Sequence, residues 1–256
     1  MSTLFISHGA PSLVLEPGKT GDMLAALGQS LPRPEAILAV SAHWDTQQPR
    51  ISTAPHPETI HDFGGFPPAM YAMQYPAPGA PELAQRVAEK LALHDIPVNL
   101  DPIRGLDHGA WVPLMLMYPD ADIPVTQLSI QSHAGPRAHY ALGQALAGLQ
   151  SQKVMLMCSG AITHNLHDFF TAERDAEALH YVQAFSDWMA EKIAENDIEA
   201  LLNYRRLAPG GVRAHPHEDH LMPLFVALGA AAGKHSTRHQ PETTYGFLAM
   251  DAYLWP

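Results

Sequence analysis

One cysteine, Cys158, is all that the 256 residues contain, so no internal disulfide can staple this chain. It lies in the apolar run Val154-Met155-Leu156-Met157-Cys158 and reads as a small buried hydrophobe. Positive charge is scarce too: 15 Lys and Arg stand against 26 Asp and Glu, a net charge of −11. A nucleic-acid binder would carry a basic stripe, and none is present. No stretch approaches the roughly 18 consecutive apolar residues of a membrane span. The amino terminus lacks a basic segment, and its apolar run is too short for a secretory signal. These absences predict a cytoplasmic protein with no nucleic-acid partner and no membrane.

The chain is rich in apolar residues and in histidine. Hydrophobic residues make up 46% of it, enough to build a sizeable core. Its length suits one α/β domain spanning residues 1–256. There are 16 histidines, mostly neutral at pH 7, and so available as metal ligands and proton carriers.

The histidines fall in a pattern. Leu4-Phe5-Ile6-Ser7-His8-Gly9-Ala10-Pro11 is a short apolar run closed by small residues and a proline, the mark of a buried strand entering a turn. Residues 36–41 repeat the design and lead to Ala42-His43-Trp44; residues 153–159 do so again before Gly160 and His164. Further strands are predicted at 96–100, 125–130 and 243–250. Helices are predicted at 22–29, 81–93, 110–117, 136–149, 173–195 and 198–204, with one from Asp219 or His220 to about Gly229. Residues 10–20 and 44–68 read as Pro/Gly-rich loops, the second an ordered loop over a site; 131–139 and 233–240 read as exposed. Strands alternating with helices predict a wound mixed sheet flanked by helices, with ligands at the carboxyl ends of its strands.

Two parallel strands ending in His8 and His43 would present both rings at one sheet end, and imidazole suits iron, zinc, copper and nickel. His215, His217 and His220 crowd a helix start, where only one or two can face a common site. His215 and His217 read as solvated loop residues, and Glu218 and Asp219 suit the helix dipole. His164 has Thr163 and Asn165 beside it; His108 stands between Asp107 and Gly109; His61 precedes Asp62. His56, His94, His133, His139, His167, His180, His235 and His239 have no motif around them and read as surface.

Taken in order, several motifs resemble the class III extradiol dioxygenases, in the branch similar to 4,5-DOPA extradiol dioxygenase. They are Ser7-His8-Gly9-Ala10-Pro11, Ser41-Ala42-His43-Trp44, Thr59-Ile60-His61-Asp62-Phe63-Gly64-Gly65-Phe66-Pro67, Gly105-Leu106-Asp107-His108-Gly109-Ala110-Trp111, Ser159-Gly160 with His164-Asn165-Leu166, and Asp219-His220 before Pro223-Leu224. The resemblance covers nearly the whole chain. It implies a non-haem iron(II) enzyme that uses O₂ to open a catechol ring beside its two hydroxyls, giving a muconic semialdehyde. His8, His43 and His220 match its metal-ligand positions. The wider class holds iron with two histidines and a carboxylate; here the third position is His220, and Glu218 is the reserve ligand. His164 matches an acid/base position, or a fourth ligand when zinc is bound, and His108 matches a histidine near the substrate. Trp44, His61, Phe63, Phe66 and Tyr71 are candidate substrate contacts, with the loop 60–68 over the pocket. Two other readings stand beside this one: a zinc hydrolase using the same histidines, and a non-enzymatic binding protein of the Memo kind on the same fold.

Overall fold

The computed structural model describes residues 1–171 and 173–256, with the backbone alone at Phe170 and Thr171. Its strands are β1 (Thr3–Ser7), β2 (Ala36–Asp45), β3 (Arg50–Ser52), β4 (Asn99–Asp101), β5 (Val125–Ile130), β6 (Val154–Gly160), β7 (Thr237–His239), β8 (Thr243–Thr244), β9 (Leu248–Ala249) and β10 (Ala252–Trp255). Eight of them form one mixed sheet in the order β4-β3-β5-β2-β6-β1-β10-β7. The middle four, β5-β2-β6-β1, are parallel. Their apolar side chains are almost wholly buried, as expected where helices cover both faces.

The pairing register matters for function. Ser7 lies opposite Gly160, and Ser41 opposite Ser159, so the paired stretches of β1, β6 and β2 end level with one another. The residues just beyond each strand therefore gather at one place. β2 runs four residues past the predicted end, with a register shift between Val40 and Asp45, so His43 lies in this extension of the strand.

The longer helices are α1 (Gly18–Ser30), α2 (Pro81–Ala92), α3 (His108–Met117), α4 (Gly135–Leu146), α5 (His180–Glu195) and α6 (Met222–Ala231). Helix α3 begins at His108 because the Asp107 side chain accepts from the Ala110 amide at its amino end. Every residue of α6 is buried, since it packs on β1, β6 and α4. Glycine lets the site close up. A Cβ at Gly160 would lie 2.1 Å from the His220 carbonyl oxygen, so this strand end can meet the 219–221 turn only without a side chain.

Several boundaries differ from the sequence reading. Helix α1 starts four residues early, inside the predicted 10–20 loop, because the distant Glu242 carboxylate accepts from the Thr20 amide and hydroxyl. The predicted helix 173–195 begins only at His180: the Tyr245 amide donates to the Arg174 carbonyl and the Leu179 amide to that of Gly246, which keeps the preceding segment out of the helix. The predicted strand 243–250 is a hairpin of β8 and β9, reversed at Tyr245 and Gly246, both at positive φ. The final strand β10, not anticipated, pairs with β1 and β7, and so the supposed exposed tail supplies β7. His139 and Gln131 are buried too: the His139 ring accepts from the Gln131 amide and donates to the Gly135 carbonyl.

His215 overturns its reading as a loop histidine. It is fully buried against Phe185 and Tyr204, and its Nε2 donates to the Ile162 carbonyl at 2.7 Å. Burial pushes its pKa down to about 3. Unfolded, it titrates near 6.5. Between these values the unfolded chain binds a proton that the folded one does not, so stability falls as pH drops from about 6.5 toward 3, by on the order of a few kcal/mol. The expected result is a lower urea midpoint at about pH 4.5 than at about pH 7.5. His215→Gln is less stable at the higher pH but loses less between the two, and an equal loss in both proteins would contradict this account.

Candidate active site

Three imidazoles from three elements meet at the level ends of the central strands. The Nε2 atoms of His8 and His43 are 3.1 Å apart, and those of His43 and His220 are 3.2 Å apart. The opposite nitrogen of each ring faces a hydrogen-bond acceptor. His8 Nδ1 donates to Ser159 Oγ at 2.9 Å, because the serine's own proton goes to the Gly109 carbonyl. His220 Nδ1 donates to the Asp219 carboxylate at 2.8 Å, and His43 Nδ1 faces the Asp62 carboxylate at 3.3 Å. These partners fix the proton on Nδ1 in all three rings and leave three Nε2 lone pairs aimed at one another.

Three lone pairs so close repel one another unless a cation lies among them. Nitrogen ligands about 2.0–2.1 Å from a common ion stand about 3.0–3.4 Å apart, which matches the separations here. Burial, and after it the nearness of the other imidazoles, pushes the pKa of His8 and His220 well down and that of His43 to about 4. All three are therefore neutral at pH 7, the form that binds metal. His8, His43 and His220 together could hold a metal ion.

Two further histidines border this centre. The His164 ring is stacked on His220, with centroids 3.5 Å apart and planes 7° from parallel. It is not one of the convergent ligand atoms, and its ring nitrogens form no hydrogen bond among the described residues. The His108 ring centroid lies 3.9 Å from that of His43. Its Nδ1 donates to Asp62 at 2.9 Å, and its amide donates to the same oxygen at 3.0 Å. Burial alone would raise the Asp62 carboxyl; the hydrogen bonds and charge of His108 outweigh it and hold the pKa at about 2. Asp62 is thus an anion shared by His43 and His108.

A cavity of about 690 Å³ opens over the cluster and includes His8, His43, His108, His164 and His220 in its lining. Phe63 and Phe66, from the loop 60–68, line it. Trp44, His61 and Tyr71, read from the sequence as candidate substrate contacts, are not among its lining residues. Trp44 is buried under the Arg104 guanidinium, 5.0 Å from its ring centroid, and His61 donates to the Met73 carbonyl at 2.9 Å behind Phe63. Glu218, the reserve ligand, accepts from the Tyr204 hydroxyl at 2.8 Å and stays outside the cluster.

Sequence reasoning missed the supporting groups Ser159, Asp62 and Asp219. Asp62 and Asp219 stand next to histidines in the motifs, which could have hinted at them; Ser159 has no such neighbour. It missed as well the buried Asp107, which takes hydrogen bonds from Ser41, Arg104 and Gln127 beneath His43.

Residues 3–254 match the family described as the catalytic LigB subunit of aromatic ring-opening dioxygenase. The chain belongs to this family. It is 44% identical over 233 residues to the 4,5-DOPA dioxygenase extradiol of Beta vulgaris, covering 90% of this chain and 86% of that one. It is 42% identical to the protein of the same name from Escherichia coli (strain K12), over 91% and 86% of the two chains. The crystal structure of an uncharacterized protein from Escherichia coli K12 superposes with a TM-score of 0.84 at 35% identity over the whole of both chains. This LigB-family enzyme is thus an extradiol ring-cleaving dioxygenase, on a mixed α/β fold with its histidine cluster at the strand ends. None of the helices among the described residues is long and apolar enough to cross a membrane.

Proposed function

We propose that the enzyme opens the ring of a DOPA-like catechol with O₂, using iron(II) held by His8, His43 and His220. The observation that carries this reading is the convergence of three Nε2 lone pairs whose tautomers are fixed from behind. The names of the Beta vulgaris and Escherichia coli relatives support a DOPA-like substrate. Opening a ring with O₂ moves electrons, which zinc cannot do, so the donor set and the reaction together favour iron. Bound iron(II) would supply Lewis acidity toward the catechol hydroxyls and a path for electrons to O₂.

The chain's own residues do the rest. His164 holds or releases a proton at a ring nitrogen left free by the protein, with the stacking on His220 fixing the plane of the ring. Burial, then the nearby imidazoles, lower its pKa to about 4 against the pull of Asp219, so it enters neutral and acts as base. His108 has its Nδ1 proton committed to Asp62, which leaves Nε2 as an acceptor facing the cavity. Phe63 and Phe66 hold the ring and exclude water. One main sheet and one contiguous core among the described residues support residues 1–256 acting as a single catalytic domain.

Protein stripped of metal and reloaded anaerobically with iron(II) is expected to take up O₂ with DOPA, with a yellow ring-opened product appearing. A chelator stops both. Iron-loaded protein that consumes no O₂ with any catechol would rule the reading out. Phe63→Ala is expected to raise KM about 10-fold with a smaller change in kcat, because the lost wall binds ground state and transition state alike; steady-state kinetics check this.

A further inference from the structure

The cavity over the histidine cluster is larger than a bare catechol needs. At about 690 Å³ it falls within the range of about 300–1,000 Å³ that takes drug-sized ligands. It therefore has room for an arm on the ring, and the wall around that arm is mixed. Phe63, Phe66, Phe247 and Leu248 supply apolar surface. His167 and His217 supply two further imidazoles, which lie outside the three convergent ligands.

Both of these rings are free while the chain around them is held. Each residue is exposed, and the ring nitrogens form no hydrogen bond among the described residues. The Asn165 side chain accepts from the His167 amide at 3.2 Å and donates to Asp168 at 3.1 Å, which ties down the turn that carries His167. Beside His217, Arg205 donates to the His215 carbonyl and Glu218 accepts from the Tyr204 hydroxyl, each at 2.8 Å. A neutral imidazole offers one N–H donor and one acceptor nitrogen, and either nitrogen can carry the proton. A carboxylate that leaves water needs such donors, because burying it unpaired is costly. His217 also lines a second, polar cleft of about 440 Å³ together with Arg205 and His133. Acidic groups in that cleft are occupied: Asp45 accepts from the Ser132 amide at 3.0 Å, and Asp219 from His220. A carboxylate beside His217 thus borders a polar space that also carries a guanidinium.

We propose that His167 and His217 hold the carboxylate of the catechol's arm, and so set a preference for amino-acid-like catechols over those whose arm lacks a carboxylate. The proposal rests on the DOPA-like reading above and deepens it by naming the residues that read the arm.

Two pairs of ligands differ at the carboxylate: DOPA against dopamine, and dihydroxyphenylpropionate against propylcatechol, where a methyl group takes its place. Their Kd values are measured by calorimetry on the metal-loaded enzyme without O₂, and oxygen uptake is followed in parallel. In each pair the carboxylate-bearing member is expected to bind more tightly. His217→Ala and His167→Ala should each lower that preference about tenfold in both pairs, the usual loss for one hydrogen bond to a charged group. His217→Gln and His167→Gln keep a donor at the end of the side chain and should restore most of it. No preference in the unaltered enzyme would overturn the proposal, as would alanine variants that weaken all four ligands equally, the mark of a merely structural role. A preference that one alanine variant leaves unchanged would strike that residue from the subsite. If the ligands bind as expected but no O₂ is consumed, the ring-opening reading fails while the arm subsite stands. If none of them binds, both fail.

Discussion

His164→Gln is expected to keep most of its metal affinity while kcat falls about 10²–10⁴-fold, the usual worth of general acid–base catalysis. The His164 ring lies flat against His220 and outside the three convergent nitrogens, so removing it leaves the proposed ligand set whole. Glutamine keeps roughly the length of histidine and one hydrogen-bonding end, but it cannot take up and return a proton. His43→Gln removes one of the three convergent nitrogens and should lose metal and activity together. Bound iron per chain and kcat, measured on both variants, decide the matter. Equal loss of metal from the two would make His164 a ligand and end its assignment as the base.

Asp62→Asn should be nearly as damaging, although it touches neither metal nor substrate in this account. The carboxylate accepts from His108 Nδ1 on one oxygen and faces His43 Nδ1 with the other. An amide offers one acceptor and one donor, so one of the two rings must lose its acceptor or turn over its tautomer. A turned His43 would aim an N–H at the cluster in place of its lone pair. Metal affinity is expected to fall about 10–100-fold, the typical cost of losing an outer partner of a ligating histidine. At saturating iron, kcat should remain lowered because His108 is misaligned too. Competition with a chelator measures the first effect and steady-state turnover the second. Unchanged values of both would mean that the packed loop, and not the carboxylate, orients the rings.

Sequence by itself determined the layers and two of the three clustered histidines. Buried strands are written as continuous apolar runs, and β1, β2, β5 and β6 were all found that way, because a strand covered on both faces has no polar side to confuse the pattern. His8 and His43 were legible because parallel strands deliver their carboxyl-terminal residues to one sheet end. His220, in a loop crowded with His215, His217 and Glu218, was singled out only through the resemblance to a family. Local pattern could not decide among these four, since each choice depends on contacts with residues far along the chain.

Tertiary structure decided those contacts. His215 turns into the core because Ile162, over fifty residues away, offers a carbonyl there. Glu218 turns to Tyr204, and His220 comes to face His43. The same cause explains the other misses. Helix α1 is capped by Glu242, the segment before α5 is held by the β8–β9 hairpin, and β10 pairs with a strand at the opposite end of the chain. Trp44 and His61, plausible substrate contacts by their neighbours, spend their surfaces on Arg104 and Met73. Fixing the tautomers took partners as far apart in the chain as Ser159 from His8, and a hydrogen bond that spans 151 positions leaves no local mark in the sequence.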